Sequence, residues 1–303
     1  MRDSLNTDPP YRGRFAPSPT GPLHQGSLIA ALASYLDARH HNGLWLLRME
    51  DLDPPREEAG AAGRILASLE AHGLHWDGEV LWQSQRAQAY AAALAALDSG
   101  HHLFRCDCTR QMLGPGGACC GHCRERQAEL AGPVATRISV PPGCHISFTD
   151  RVQGEQNIAL GAELPDFVVK RKDGLDAYQL AVVVDDDWQG ITHIVRGSDL
   201  LDSTPRQVFL QQLLDHTTPC YCHLPVITDA GGNKFSKQNH APPLEDSRAG
   251  SNLRAALRFL RQPEPPGEID EIADILAFAC DHWNVQTIPA VPSIAVTSAP
   301  RQP

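Results

Sequence analysis

Between Ser27 and Arg39, apolar side chains fall at positions 28, 32, 35 and 36, and the aliphatic stem of Arg39 continues the stripe, a spacing that predicts a helix. The run LWLLRME, Leu44 to Glu50, follows a glycine and ends in acid, as a buried strand would. DPPREEAGAAGRILASLEAHG reads as a turn and then a helix that stops at Gly73. SQRAQAYAAALAALDSG reads as an alanine-rich helix with Ser84 as its cap and Gly100 as its end. Asp51 and Asp53 in DLDPP suit a helix start. Strand and helix alternate along this front part, which predicts an α/β fold with a parallel sheet.

From Cys106 to about Asp173 the texture changes to cysteine, glycine and proline with short β-like pieces (ATRISV, HISFTD, DFVVKR), and an insertion is expected there. The α/β pattern returns with YQLAVVVDDD, whose LAVVV is the longest strand-like apolar run, then ITHIVRG and a helix through PRQVFLQQLLDH. Beyond the loop GGNKFSKQNHAPP, LRAALRFLR and IDEIADILAFACDHW read as helices and the proline-rich tail as disordered. The expected organisation is a first half-domain at 1–103, an insertion at 104–173, the second half-domain at 174–240, and a helical remnant with its tail at 241–303.

With 303 residues, 42% hydrophobic and 20% charged, the chain can bury a large core. No window has the length of a membrane span and the first ten residues lack an apolar signal core, so a cytoplasmic protein with no membrane partner is expected. A net charge of −10 argues against a purely electrostatic nucleic-acid binder, although Arg105, Arg110, Arg124 and Arg126 cluster locally. Nine cysteines without a secretory signal do not suggest a disulfide framework. Four of them, Cys106-x-Cys108 and Cys119-x-x-x-Cys123, bracket a glycine-rich loop and suit a tetrahedral Zn²⁺. Such a closed thiolate shell leaves no position for substrate, so the metal would be structural.

Chemistry concentrates first in RFAPSPTGPLHQGS, Arg14 to Ser27, which has the glycine spacing of a P-loop but not its lysine. What remains is a strand-to-helix turn with His24 and the backbone amides around Gly26 at a helix start, where a ligand can approach the main chain and an anion is favoured.

RFAPSPTGPLHQGS, LLRMEDLDPPR, DAYQLAVVVDDDWQGITHIVRGSDLLDSTPRQ and KFSKQNHA, in this order over about 230 residues, resemble the catalytic core of class I glutamyl-tRNA synthetases. The resemblance implies a Rossmann-type parallel-sheet catalytic domain, a zinc-containing α+β insertion and a short helical C-terminal region. It implies ATP handling by His24, Gly26 and the lysine loop, with His24, Lys234 and Lys237 catalytic. It also places Arg14, Phe15, Ala16, Pro17, Ser18, Glu50, Tyr178 and Arg196 around L-glutamate. The residue types agree, since a guanidinium fork binds a carboxylate in bidentate fashion and Glu50 suits an ammonium.

KFSKQNHA and RGSDLLDSTPRQ, with 66 residues after Lys237, further resemble the glutamyl-queuosine tRNA(Asp) synthetases, in which the anticodon-binding region of the full-length enzymes is missing. Members of that family activate glutamate with ATP and ester-link it to the queuosine base at the wobble position, leaving the 3′ end uncharged. The alternative expectation is a glutamyl-tRNA synthetase that has lost its anticodon domain. ATP with Mg²⁺, L-glutamate, queuosine-bearing tRNA(Asp) and one structural Zn²⁺ are then expected on a monomer. The chain departs from the pattern at Gln25, at Phe235 and at Cys119, where the family commonly has tyrosine; Cys120 and His122 compete for that fourth ligand place.

Overall fold

The computed structural model describes residues 10–229 and 242–296. Its elements in chain order are β1 (Arg12–Phe15), α1 (Gln25–His40), β2 (Leu44–Met49), α2 (Ala61–Ala71), β3 (Leu81–Trp82), α3 (Ala87–Ser99), β4 (Leu103–Cys106), α4 (His122–Glu125), β5 (Ala135–Ser139), β6 (Ile146–Asp150) and β7 (Gly154–Ile158). There follow α5 (Leu160–Glu163), β8 (Asp166–Lys170), α6 (Tyr178–Trp188), β9 (His193–Gly197), α7 (Thr204–Leu213), β10 (Cys220–Leu224), β11 (Val226–Thr228), α8 (Ala249–Phe259), α9 (Ile272–Asp281) and β12 (Ser293–Ala295).

Strands β1, β2 and β3 pair in parallel in that order, with Arg12 opposite Leu44 and Phe15 opposite Leu47. A second sheet runs β7-β6-β10-β9, with β9 and β10 parallel and joined through α7. The two sheets meet where Thr192, just before β9, donates its N–H to Arg12 O at 3.0 Å and accepts from Arg12 N–H at 2.8 Å. Strand order therefore reverses between β1 and β9, and in an open α/β sheet the crevice beyond the carboxyl ends at that reversal is where ligands bind.

Helix α1 is apolar nearly all round because it is covered on one side by β1 and β2 and on the other by α8 and α9. Its one interior charge, Asp37, accepts from Tyr11 Oη, from both terminal nitrogens of Arg151 and from Trp283 Nε1. The segment expected to be an insertion supplies an antiparallel sheet, β4-β5-β8, that carries the cysteine cluster. Its β6–β7 hairpin, however, joins the other sheet, Asp150 lying opposite Tyr221 of β10.

Four expectations need correction. YQLAVVVDDD is helix α6, not a strand: Leu180 to Val184 are all buried, so no polar face interrupts the run, and a valine-rich helix enclosed on all sides has the pattern of a buried strand. Ser84 does not cap α3; its N–H and hydroxyl bond Asp51 at 2.8 and 2.6 Å, and Arg86 borders the helix. The aspartates of DLDPP start only a single 3₁₀ turn, Pro54–Arg56, with α2 beginning later at Ala61. The C-terminal region is not wholly helix and loose tail, because β12 pairs in parallel with β11. Among the described residues no helix is long and apolar enough to cross a membrane.

Candidate active site

The end of β1 delivers Arg14 into the crevice, and the PSPTG turn after it carries Ala16 and Ser18. Glu50 follows β2, its N–H held by Pro17 O at 3.0 Å, so Pro17 serves through its main chain. Tyr178 opens α6 and Arg196 sits near the end of β9. Arg14, Phe15, Ala16, Ser18, Glu50, Tyr178 and Arg196 line one cavity of about 280 Å³, which brings together seven of the eight residues expected around glutamate.

The charges are fixed from behind. Asp186 on α6 receives Arg14 Nε at 3.1 Å and Arg48 Nη1 at 2.8 Å, and Arg48 Nη2 reaches Glu50 Oε1 at 3.5 Å. Burial opposes ionisation of Asp186, but the two guanidinium groups outweigh it and keep its carboxyl below the usual range. At Glu50 burial prevails, helped by Asp186 and Asp185, and pushes the carboxyl up against the pull of Arg48 and Arg14. An incoming ammonium would reverse that balance and restore the anion. Arg196 is held by His223 Nε2, 3.0 Å from its Nε, and by Thr204 Oγ1, 2.8 Å from its Nη2. Its buried Nη1 has no hydrogen-bond partner among the described residues.

A second cavity, about 270 Å³, is lined by His24, Gly26, Ser27, Asp199 and Ile227 and shares Ala16, Ala30, Gly197 and Leu200 with the first. His24 is the N-cap of α1: its Nδ1 accepts from Ser27 N–H at 3.3 Å, so in the neutral ring Nε2 carries the proton and is the donor. The capping role and a ligand-binding role are therefore compatible. A Cβ on Gly26 would stand 3.0 Å from the His24 ring and 3.2 Å from Ile227 Cγ2, so a larger residue requires the ring or Ile227 to give way slightly. Gln25 points away and donates to Asn252 O on α8 at 3.2 Å, which accounts for a polar residue at that position. Lys234, Phe235 and Lys237 lie outside the described residues.

At the far side of β4, the sulfurs of Cys106, Cys108, Cys119 and Cys123 all lie within 4.8 Å of one another. The Cys108–Cys119, Cys108–Cys123 and Cys106–Cys123 separations are 3.8, 3.5 and 3.8 Å. A tetrahedral Zn²⁺ with ~2.3 Å bonds requires sulfurs ~3.8 Å apart, so the four fit one ion. Asp166 supports the shell by accepting Cys119 N–H at 3.0 Å. Cys120 is exposed with its sulfur 3.4 Å from that of Cys108, and His122 lies on the exposed start of α4; neither belongs to the mutually close set of four.

Comparison with known proteins follows the same lines. The model of the class I tRNA synthetase (E and Q) catalytic domain matches residues 11–115 and 119–260. A glutamyl-Q tRNA(Asp) synthetase of Pseudomonas fluorescens is 50% identical over 294 residues, covering 96% of this chain and 98% of the relative. The chain belongs to the glutamyl-Q tRNA(Asp) synthetase family of class I tRNA synthetases. Its relative of the same name in Thiobacillus denitrificans is also 50% identical, over 93% of this chain and 96% of the other. Among solved structures, a glutamate-tRNA synthetase from Elizabethkingia anophelis superposes with a TM-score of 0.79 at 21% identity, covering 96% of this chain and 68% of that one, and so shares the fold. Membership in class I implies use of ATP.

Sequence inspection missed Arg48, Asp186, His223 and Asp150, the groups that hold the site from behind. Arg48 was detectable, since an arginine inside the apolar run LWLLRME must find a buried anion. The Asp150–His223 pair gave no local sign, because its members are 73 positions apart.

Proposed function

We propose that this protein activates L-glutamate with ATP and then esterifies the queuosine base at the wobble position of tRNA(Asp). The observation that carries the proposal is the wall common to the two cavities, Ala16, Ala30, Gly197 and Leu200, which would put a carboxylate held by Arg14 and Arg196 beside a phosphate at the start of α1. In this reading Arg14, Arg196, Glu50, Tyr178, Phe15, Ala16, Pro17 and Ser18 form the glutamate site, with the two arginines taking carboxylates and Glu50 the ammonium. Glutamine would leave a desolvated guanidinium without its anion, a large source of discrimination.

An oxygen of the glutamate α-carboxylate attacks the α-phosphorus of ATP, and the bond to the bridging oxygen breaks to release pyrophosphate. Negative charge spreads over the phosphate oxygens. His24 Nε2–H, the amides at the start of α1 near Gly26, and Lys234 and Lys237 stabilise it without covalent participation, and Mg²⁺ brought with ATP would supply further positive charge. A queuosine hydroxyl then attacks the activated carbonyl and AMP leaves. A third cavity of about 440 Å³ shares Ser18, Glu50 and Tyr178 with the glutamate cavity and offers the acceptor an approach. Cys106, Cys108, Cys119 and Cys123 would hold a structural Zn²⁺ in a shell with no open position for substrate. A monomer in the cytoplasm completes the reading.

The test is transfer of labelled glutamate, with ATP, to tRNA(Asp) isolated with and without queuosine, with tRNA(Glu) as control. Label confined to the queuosine-bearing tRNA supports the proposal; label on the 3′ end of tRNA(Glu) replaces it with a charging enzyme.

A further inference from the structure

We propose that the buried pair Asp150 and His223 is a positioning relay that aims Arg196 into the glutamate cavity, so that glutamate affinity depends on which ring nitrogen of His223 carries the proton. This rests on the assignment of that cavity to glutamate.

Asp150 ends β6, His223 lies on β10 and Arg196 on β9, and β10 runs between the other two. Their exposures are 2%, 0% and 5%, so water has little part in their hydrogen bonding. Asp150 Oδ1 accepts the N–H groups of Val152, Gln153 and His223, which fixes the carboxylate, and Oδ2 lies 2.6 Å from His223 Nδ1. On the other side of the ring, Nε2 faces Arg196 Nε at 3.0 Å. A guanidinium only donates, so Nε2 must offer its lone pair and the ring proton sits on Nδ1, directed at Asp150. The ring is stacked on Tyr221, over which the Arg196 guanidinium also lies.

Two of the three Arg196 nitrogens are therefore used to hold it, Nε by His223 and Nη2 by Thr204. The third, Nη1, is buried without a partner among the described residues, and Arg196 lines the cavity with Glu50 and Tyr178. A buried donor left unpaired is costly, which fits a bound carboxylate as its partner. Moving the ring proton to Nε2, or adding a second proton there, sets it against the Arg196 Nε–H and turns it towards Thr204 Oγ1, 3.1 Å away, the oxygen that also accepts from Arg196 Nη2, so both contacts that hold the guanidinium are disturbed. The charged groups facing His223 are Asp150 from β6, Arg196 from β9 and Arg14 from β1; burial and the two arginines oppose the imidazolium more than Asp150 favours it. The neutral Nδ1–H ring is the working form at neutral pH.

The test uses the full chain in glutamate-dependent ATP–pyrophosphate exchange. Asp150→Asn keeps an oxygen for the three backbone N–H groups but turns an amide N–H₂ towards Nδ1, which drives the ring proton to Nε2. The expected result is a glutamate KM raised roughly tenfold or more, the scale of a misaligned charged hydrogen bond, with kcat at saturating glutamate within about threefold. His223→Gln can accept from Arg196 and donate to Asp150 and should hold KM within about threefold, whereas His223→Leu should lose affinity as Asp150→Asn does. Wild-type KM should stay flat through a pH of about 6.5, the ordinary histidine value, and climb only further into acid as pH falls through the lowered pKa of His223, while Asp150→Asn stays high and flat. A folded Asp150→Asn protein with wild-type KM, or with reduced kcat alone, overturns the relay. Should that variant not fold, equal KM values for His223→Gln and His223→Leu overturn it. A wild-type protein with no exchange at all strikes the glutamate assignment itself, a separate outcome.

Discussion

Replacing Asp186 with asparagine tests whether the arginines of the site are held by a buried charge. Asp186 is 3% exposed and takes hydrogen bonds from Arg14 and Arg48, the latter with no exposure at all. The amide keeps one acceptor and removes the charge, leaving two buried guanidinium groups with Glu50, which reaches Arg48 at 3.5 Å, and Asp185, whose carboxylate already serves Gln83, Arg86 and Tyr90. Breaking a buried ion pair by removing one member costs about 3–5 kcal/mol, and the retained acceptor puts Asp186→Asn at the lower end, about 3 kcal/mol. Each kcal/mol moves the midpoint of a domain this large by about 2–4 °C, so melting should fall by roughly 6–12 °C at pH 7. The folded carboxyl titrates below its unfolded value of about 3.9, so its contribution is fully present above that value and is lost as pH falls through the folded pKa. The gap between wild type and variant should accordingly be constant from pH 6 to 8 and close only in acid. Asp187→Asn, whose side chain is 44% exposed beside His216, is the control and should melt within about 2 °C of wild type. Scanning calorimetry of the three proteins at pH 7 decides the matter: an unchanged midpoint for Asp186→Asn, or equal drops in both variants, refutes the argument.

Three further outcomes are expected. His24→Ala and Lys237→Ala should each lower the glutamate activation rate by about 10²-fold or more in pyrophosphate exchange, as losing one transition-state donor does; a change under threefold would remove that residue from the mechanism. Gly26→Ala should push the His24 ring off its cap bond, lowering stability by only about 1 kcal/mol while activation falls at least tenfold; wild-type activity would show that the ring can move aside. Cys119→Ser should reduce bound zinc, measured by elemental analysis, well below one per chain, whereas Cys120→Ser should leave it at one; the reverse order would place Cys120 in the shell.

What could be read from the sequence was whatever is local. The turn and helix start at His24–Gly26, the CxC and CxxxC pairs, and the alternation of β1, α1, β2 and α2 all lie within short windows whose spacing has few structural solutions. Helix α6 was misread for a physical reason: Val182, Val183 and Val184 are buried on every side, and enclosure removes the polar face by which a helix is recognised. The cavity residues could be named because each sits in a motif. The groups that hold them could not, since Asp186 approaches Arg14 across 172 positions and His223 approaches Arg196 across 27, and pairing at that range is set by the sheet. The β6–β7 hairpin was hidden likewise, because leaving one sheet for another changes nothing in the pattern of its own residues.

The knot around Asp37 carries a consequence for how the chain is made. A ribosome releases α1 early, yet the partners of its buried carboxylate come from Tyr11, from Arg151 and from Trp283, nearly the whole length of the chain apart. The apolar side that α8 and α9 cover must likewise wait until they emerge. Until then an unfinished polypeptide presents a leucine-rich helix with an unneutralised acid in its middle, a surface that invites chaperone binding and premature association. Emergence of α9 and of Trp283 after it completes the cover of α1, and protease resistance of ribosome-bound chains should rise once Trp283 has cleared the exit tunnel.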